Sequence, residues 1–164
     1  MNIDIQQTKD YNELASLNEI VQAWHNLNFP EEFKPFNLSD IKQAFKDILV
    51  NPNFFAFVAR SNGKAIGYLI VNIKTRPESA FQYKKTILNI DQIAVAIEHQ
   101  KAGIGQLLLN RAFQLAGDNN ISTIQVDHWS GNKKAERLFV NSGFVHFNFR
   151  MEKLTNSNSG SRSR

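Results

Sequence analysis

Apolar residues recur every third or fourth position in some stretches of the chain and every second position in others. Those two periods divide it into elements. "NIDIQQ" (residues 2–7) predicts a short strand. Leu14, Leu17, Val21 and Trp24 then form a helical stripe, which predicts a helix over about residues 11–26, with Asp10 and Glu13 as a capping box at its start. A loop carrying two prolines follows. Ser39 is expected to cap a second helix whose inner face holds Ile41, Phe45, Ile48 and Leu49, and "NPN" at 51–53 ends it. The period then changes to two. "FFAFVAR" and "KAIGYLIVNI" predict a hairpin across "SNG" at 61–63, and the second strand, apolar on both faces, reads as central. "KTILNIDQIAVAI" (85–97) predicts a long strand, and Ile104, Leu107, Leu108, Ala112 and Leu115 a helix over 104–117. "TIQVDHW" predicts another strand, and "NKKAERLFVNSG" a short helix stopped by Gly143. "FVHFNFRMEKL" predicts a last strand with Val145, Phe147, Phe149 and Met151 on one face. The order β-α-α-β-β-β-α-β-α-β implies an α/β (α+β) fold: a mixed, mostly antiparallel twisted sheet with helices on both faces.

Composition narrows the picture. The 164 residues suit one domain, expected over 1–154, with a polar tail at 155–164 read as disordered and partly a cloning scar. A net charge of +4 without a Lys/Arg run argues against a nucleic-acid partner. The absence of cysteine excludes disulfides, thiolate metal sites and a cysteine nucleophile, and no metal is expected. "MNIDIQQTKD" lacks the apolar core of a secretory signal, and no apolar run approaches the ~20 residues of a membrane span, so a cytoplasmic protein with no membrane partner is expected.

The stretch with the most chemistry is "EHQKAGIGQLLL", where the long strand meets its helix. A dinucleotide fingerprint needs a glycine where Leu108 stands, and a Walker A loop needs Lys after its second glycine, where Gln106 stands. What remains is Q-x-x-G-x-G: Gln100, Gly103 and Gly105. The first N–H groups of a helix have no intrahelical acceptor, and the helix dipole adds partial positive charge there. Glycines let an anion approach, so a pyrophosphate suits the spot. From these residues alone, a glycine-softened loop without a ligand stands as an equal reading.

A second motif follows one strand later: Asn132, Ala135, Leu138, Phe139, Gly143 and Phe144, in "NKKAERLFVNSGF". Together, and in this order, the two motifs resemble the GNAT superfamily of acyl-CoA-dependent N-acetyltransferases, over roughly residues 2–154. The resemblance implies a GNAT fold in which two central parallel strands splay apart, here the strands near Val95 and Val126, with acetyl-CoA in the gap. It places the pyrophosphate on backbone amides of Gln100, Lys101, Ala102, Gly103, Ile104 and Gly105, with Gln106 at the helix start. It pairs the pantetheine with the strand edge at Ile93, Ala94 and Val95, gives the acetyl carbonyl an N–H near Val95, and brings Asn132 from the other side. Phe139 stands where the family often carries a Tyr that acts as acid. The family usually ends in two strands where this chain has room for one, so the resemblance allows a homodimer in which a second copy completes the sheet.

Direct transfer of an acetyl group to a primary amine, on a small molecule or a peptide, needs a base for the ammonium and a donor for the oxyanion. Asp91, two residues from Ile93 and read as sharing its face, is the candidate base; the alternative is a strand-edge carboxylate turned to water. His128 is the candidate proton shuttle, against a surface histidine. His25 and Phe29 are candidate acceptor-site residues, and Glu31 and Glu32 could attract a cationic amine. The competing functional class is an acyl-CoA-binding sensor without turnover, motivated by Phe139.

Overall fold

The computed structural model describes residues 2–153, and the chain divides into two compact units after Asp127. The expected tail at 155–164 lies outside the described residues.

The first unit is a five-stranded open sheet in the order β1-β2-β3-β4-β5. Its strands are β1 (Ile3–Thr8), β2 (Phe54–Ser61), β3 (Lys64–Arg76), β4 (Lys85–Val95) and β5 (Ile124–Val126). The first four pair antiparallel, and β4 and β5 pair parallel. The β2–β3 hairpin turns on Asn62 and Gly63, both at positive φ (50° and 77°), the conformation that matches the twist of the flanking strands. Central β3 is buried from Ile66 to Asn72, as its two-faced apolar run requires.

Helices α1 (Tyr11–Asn28) and α2 (Leu38–Val50) cover one face of the sheet. Leu14, Ala15, Phe45 and Leu49 meet Ala56, Val58, Tyr68, Ile70 and Ala94 there. Helix α3 (Ile104–Asp118) covers the other face, with Arg111 Cζ 4.7 Å over the Phe57 ring of β2. The buried stripe of α3 holds Ile104, Leu108, Leu109, Ala112, Leu115 and Ala116; Leu107, expected on it, points outward, because Leu109 fills the inner position instead.

Two caps differ from expectation. Asp10 does cap α1, accepting from the N–H groups of Asn12 and Glu13, but the Glu13 carboxylate does not close a capping box. It forms a two-pronged ion pair with Arg60 of β2, both contacts at 2.6 Å, which pins α1 to the sheet. The cap of α2 is Asn37 rather than Ser39; its Oδ1 accepts from the N–H groups of Ser39 and Asp40.

The second unit carries α4 (Lys133–Asn141). Asn132 caps it, with Oδ1 accepting from Ala135 N–H at 3.1 Å. Its far end is a Schellman turn: Phe144 N–H donates to Phe139 O, Gly143 N–H donates to Val140 O, and Gly143 has φ 90°. The rings of Phe139 and Phe144 lie 5.7 Å apart, the apolar contact that accompanies this turn. The spacing of the second motif thus encodes a helix with both ends specified. The strand expected over "FVHFNFRMEKL" is absent from residues 144–153, where Val145, Phe147, Phe149 and Met151 are exposed. Alternation records suitability for a pleated surface, but a strand also needs a neighbouring ladder for its N–H and C=O groups.

Candidate active site

The parallel ladder between β4 and β5 is short. It pairs Leu88 with Ile124, Asn89 with Gln125 and Ile90 with Val126, and then stops while β4 runs on to Val95. The splayed pair expected near Val95 and Val126 is therefore present as an open edge from Asp91 to Val95. Strand N–H groups alternate between the two edges. Ala96 N–H donates to Ile66 O on β3, so the N–H groups of Val95 and Ile93 face the open edge. Ala94 is turned the other way, with its backbone toward β3 and its methyl in the core. Of the three residues expected to meet the pantetheine, Ile93 and Val95 present backbone to the gap and Ala94 does not.

A bulge interrupts β4 where the parallel ladder ends. Ile70 of β3 lies opposite Gln92, and Val71 opposite Ile90, leaving Asp91 as the extra residue. The insertion shifts the alternation by one. Asp91 therefore leaves the face of Ile93, contrary to expectation, and joins Gln92 on the face that α1 and α2 cover. Asp91 keeps an exposed surface, yet the packing around its carboxyl pushes it above the usual range by desolvation, opposed by the Lys74 ammonium and a hydrogen bond from Gln92. Asn89 shares this face, opposite Asn72.

Beside Asp91 lies a buried polar cluster that sequence reasoning missed. Asn18 Nδ2 donates to Tyr68 Oη (2.9 Å) and to Gln92 Oε1 (3.0 Å), and Tyr68 Oη donates to Gln92 Oε1 (2.8 Å). Burial pushes the Tyr68 phenol well above its ordinary pKa. Asn18 Oδ1 and Asn72 Oδ1 are buried among the described residues without a hydrogen-bond partner. Such atoms are costly to leave unpaired and mark places where a ligand or water is accommodated. The available signal was polarity out of pattern: Asn18 four residues after Leu14 on an apolar stripe, and Asn72 inside "AIGYLIVNI".

At the end of β4 the chain makes a single 3-10 turn, Ile97–His99, in which Gln100 N–H already donates to Ile97 O. Gln100 Nε2 donates to Val95 O at 3.1 Å, tying the loop back to the strand end. Lys101 (φ 64°) and Gly103 (φ 78°) are both left-handed, and Gly103 is the N-cap of α3 with no side-chain cap. A positive φ at a non-glycine residue such as Lys101 is an uncommon strain that clusters at functional sites. The first intrahelical donor is Leu107, to Gly103 O, so the N–H groups of the preceding turn have no acceptor inside the helix. Space above Gly103 is open: an added Cβ would meet nothing within 4 Å. Ile104 is buried by its side chain and offers only backbone. Of the expected pyrophosphate amides, that of Gln100 is engaged within the 3-10 turn.

At the end of α1, His25 stacks on Phe33 (centroids 4.4 Å, planes 17° apart) and meets the Trp24 ring edge-on. Phe29 also packs edge-on against Trp24. Burial lowers the pKa of His25, which keeps the ring neutral near physiological pH. A cleft of about 310 Å³ opens between the end of α1 and the start of α2, lined by Gln22, Phe33 and Ile41 and by the charged residues Glu32, Lys34 and Asp40. In the second unit, Asn132 commits its Oδ1 to the cap of α4, and His128 Nδ1 lies 3.3 Å from Trp129 O.

The same architecture occurs in solved structures, several of them of acetyltransferases. The BH1408 protein from Bacillus halodurans superposes with a TM-score of 0.82 at 19% identity, over 94% of this chain and 99% of that one. A predicted acetyltransferase from Clostridium acetobutylicum, solved with acetyl-CoA, gives a TM-score of 0.69 at 16% identity, over 93% and 96%. AAC(6')-Iy, in complex with the bisubstrate analog CoA-S-monomethyl-acetylneamine, gives 0.70 at 14% identity, over 95% and 99%. These likenesses show the fold. A family model described as "Acetyltransferase (GNAT) family" matches residues 19–144, and the chain belongs to that family. A curated relative, N-alpha-acetyltransferase 60 of Xenopus tropicalis, is 24% identical over 152 residues, which take in 82% of this chain and 56% of that protein. The chain thus spans little more than half the length of that relative. No described helix is long and apolar enough to cross a membrane.

Proposed function

We propose that this protein is an acetyl-CoA-dependent N-acetyltransferase that moves an acetyl group to a primary amine by direct attack in a ternary complex. The observation that carries this reading is the open edge of β4 from Asp91 to Val95, which runs into the glycine-led first turn of α3. The outward N–H groups of Ile93 and Val95 and the outward C=O of Ile93 suit an amide-bearing arm laid along the edge as an added strand, while Val95 O is held by Gln100 Nε2. The turn at Lys101–Gly105 suits a pyrophosphate, because its amides, the helix dipole and the open space above Gly103 favour an anion. When bound there, acetyl-CoA supplies an activated thioester.

This chain's residues do the rest. An alkyl ammonium has a pKa of about 10 and must lose a proton before it attacks. Asp91, its carboxyl raised by desolvation, is a stronger base than an ordinary aspartate and accepts that proton directly or through water. Val95 N–H, facing the gap, is placed to donate to the developing oxyanion. Glu32 and Asp40 outweigh Lys34 in the lining of the cleft, and the net negative charge favours a cationic acceptor. AAC(6')-Iy, whose fold this chain shares, is an aminoglycoside N-acetyltransferase, an enzyme that acts on an amine.

The second reading, an acyl-CoA sensor, is favoured by Phe139, which is 4% exposed, packs against Phe144 and has no proton to offer a leaving group. The purified chain mixed with acetyl-CoA and a panel of amines (polyamines, aminoglycosides, short peptides) separates the two. Release of free coenzyme A thiol with at least one amine is expected. A rise in melting temperature with acetyl-CoA, but no thiol with any acceptor, would establish the sensor and overturn the enzyme.

A further inference from the structure

We infer that His128, Glu136 and His146 form a binding site for one divalent transition-metal ion of the zinc type. The inference stands apart from the acyltransfer reading and departs from the expectation, raised by the lack of cysteine, that the chain holds no metal. All three residues belong to the second unit. One donor atom from each side chain lies within 4.8 Å of the others. A zinc ion about 2.0–2.1 Å from each donor sets tetrahedral ligands roughly 3.4 Å apart, so small side-chain rotations close the site. The pair His146 Nε2 and Glu136 Oε1, at 3.6 Å, already has that spacing. It is too long for a direct hydrogen bond, and a shared ion between the two atoms competes with a simple ion pair as its account.

The protonation pattern fits. A backbone carbonyl only accepts, so the contact between His128 Nδ1 and Trp129 O (3.3 Å) places the proton on Nδ1 and leaves the lone pair on Nε2. Metal-binding histidines are oriented in this way by a partner on their other nitrogen. Lys133 Nζ donates to Glu136 Oε2 at 2.8 Å, which leaves Oε1 as the oxygen turned toward His146. Two imidazoles and one carboxylate select zinc-like ions over magnesium or calcium, which prefer oxygen. The fold explains the assembly. Asn132 starts α4 so that Glu136 sits one turn in, and the Schellman turn at Gly143 and Phe144 sends the chain back so that His146 returns to Glu136. Phe139 flanks His128 (6.3 Å) and Phe149 stacks on His146 (5.9 Å), giving the site apolar walls. An ion here ties the segment after α4, which has no ladder of its own among the described residues, to the helix. It also occupies the lone pair of His128 that a proton shuttle would need.

Calorimetric titration of the chelator-stripped full chain with zinc chloride tests the site. One ion per chain is expected, with magnesium giving no heat. In ring-nitrogen NMR spectra, His128 and His146 should shift on zinc addition while His25 and His99 stay still. His146→Ala, at an exposed position and checked for folding by circular dichroism, should weaken binding more than about tenfold, the low end of what losing even an outer-shell partner costs. Absence of stoichiometric binding, undiminished affinity in the His128→Ala/His146→Ala double variant, or shifts confined to His25 and His99 would overturn the assignment.

Discussion

Asp91 shows how much a single inserted residue controls. Its identity as a carboxylate near the end of a long strand is readable in "NIDQIAV"; its face is not, because alternation counted along the sequence assumes an unbroken pleat. The bulge opposite Ile70 and Val71 moves Asp91 to the side of Lys74, Gln92 and Tyr68, where desolvation raises its pKa. The sign of the resulting pH effect follows. A carboxyl whose folded pKa exceeds its unfolded value of about 3.9 contributes its stability below that value and loses it as pH rises through the folded pKa. Asp91→Asn is therefore expected to melt higher than the parent near neutral pH, with the gap closing under acid conditions. In the acetyl-transfer assay the same variant should lose about 10²–10⁴ in kcat/KM, and the acid limb of the parent's pH profile should disappear. A variant that melts lower at neutral pH, or one that keeps its rate and its acid limb, would remove Asp91 as the base.

Among the elements, the long ones with strong periods were legible and their ends less so. The two helical stripes of the N-terminal half and the hairpin around Asn62–Gly63 stand where the pattern put them. Ser39 competed with Asn37 for a cap that only backbone geometry decides, and the Glu13 carboxylate found Arg60, 47 positions away, which no local motif reveals. The second motif was legible as spacing, yet its physical content, an Asn132 cap and a Phe139–Phe144 turn, needed the structure. Glycines make this contrast testable. A Cβ on Gly67 would come within 2.8 Å of Ala94 O, a backbone atom of β4 at the start of the candidate acyl site. Gly117, inside α3, has open space and no positive φ. Gly67→Ala is expected to cost about 1–3 kcal/mol by overpacking two paired strands. Gly117→Ala should instead stabilise by roughly 0.5–1 kcal/mol through helix propensity and a less flexible unfolded chain. Denaturant melts of the two variants give both signs directly; equal shifts would contradict the packing of β3 against β4.

At the scale of the whole molecule, the fold class and the glycine-led turn before α3 were legible because they rest on periodicity and on a glycine pattern with a physical reason. The polar cluster of Asn18, Tyr68 and Gln92 was not, because it joins residues up to 74 positions apart that share no period. The site's central requirement is that the first turn of α3 receives an anion. Anything that binds the folded chain raises its stability by mass action, about 2.7 kcal/mol at a hundred times Kd, so coenzyme A should raise the melting temperature steadily with concentration. Gly103 separates backbone strain from ligand exclusion. At φ 78° any side chain costs about 1–2 kcal/mol, so Gly103→Ala and Gly103→Glu should both lower the unliganded melting point by a similar amount. Their responses to coenzyme A should then part. The alanine variant is expected to keep most of the ligand shift, since its methyl meets nothing within 4 Å. The glutamate variant is expected to lose it, because a carboxylate placed over the amides takes the position of the pyrophosphate and repels it. A glutamate variant that still shifts with coenzyme A like the parent would put the anion somewhere other than the turn between β4 and α3.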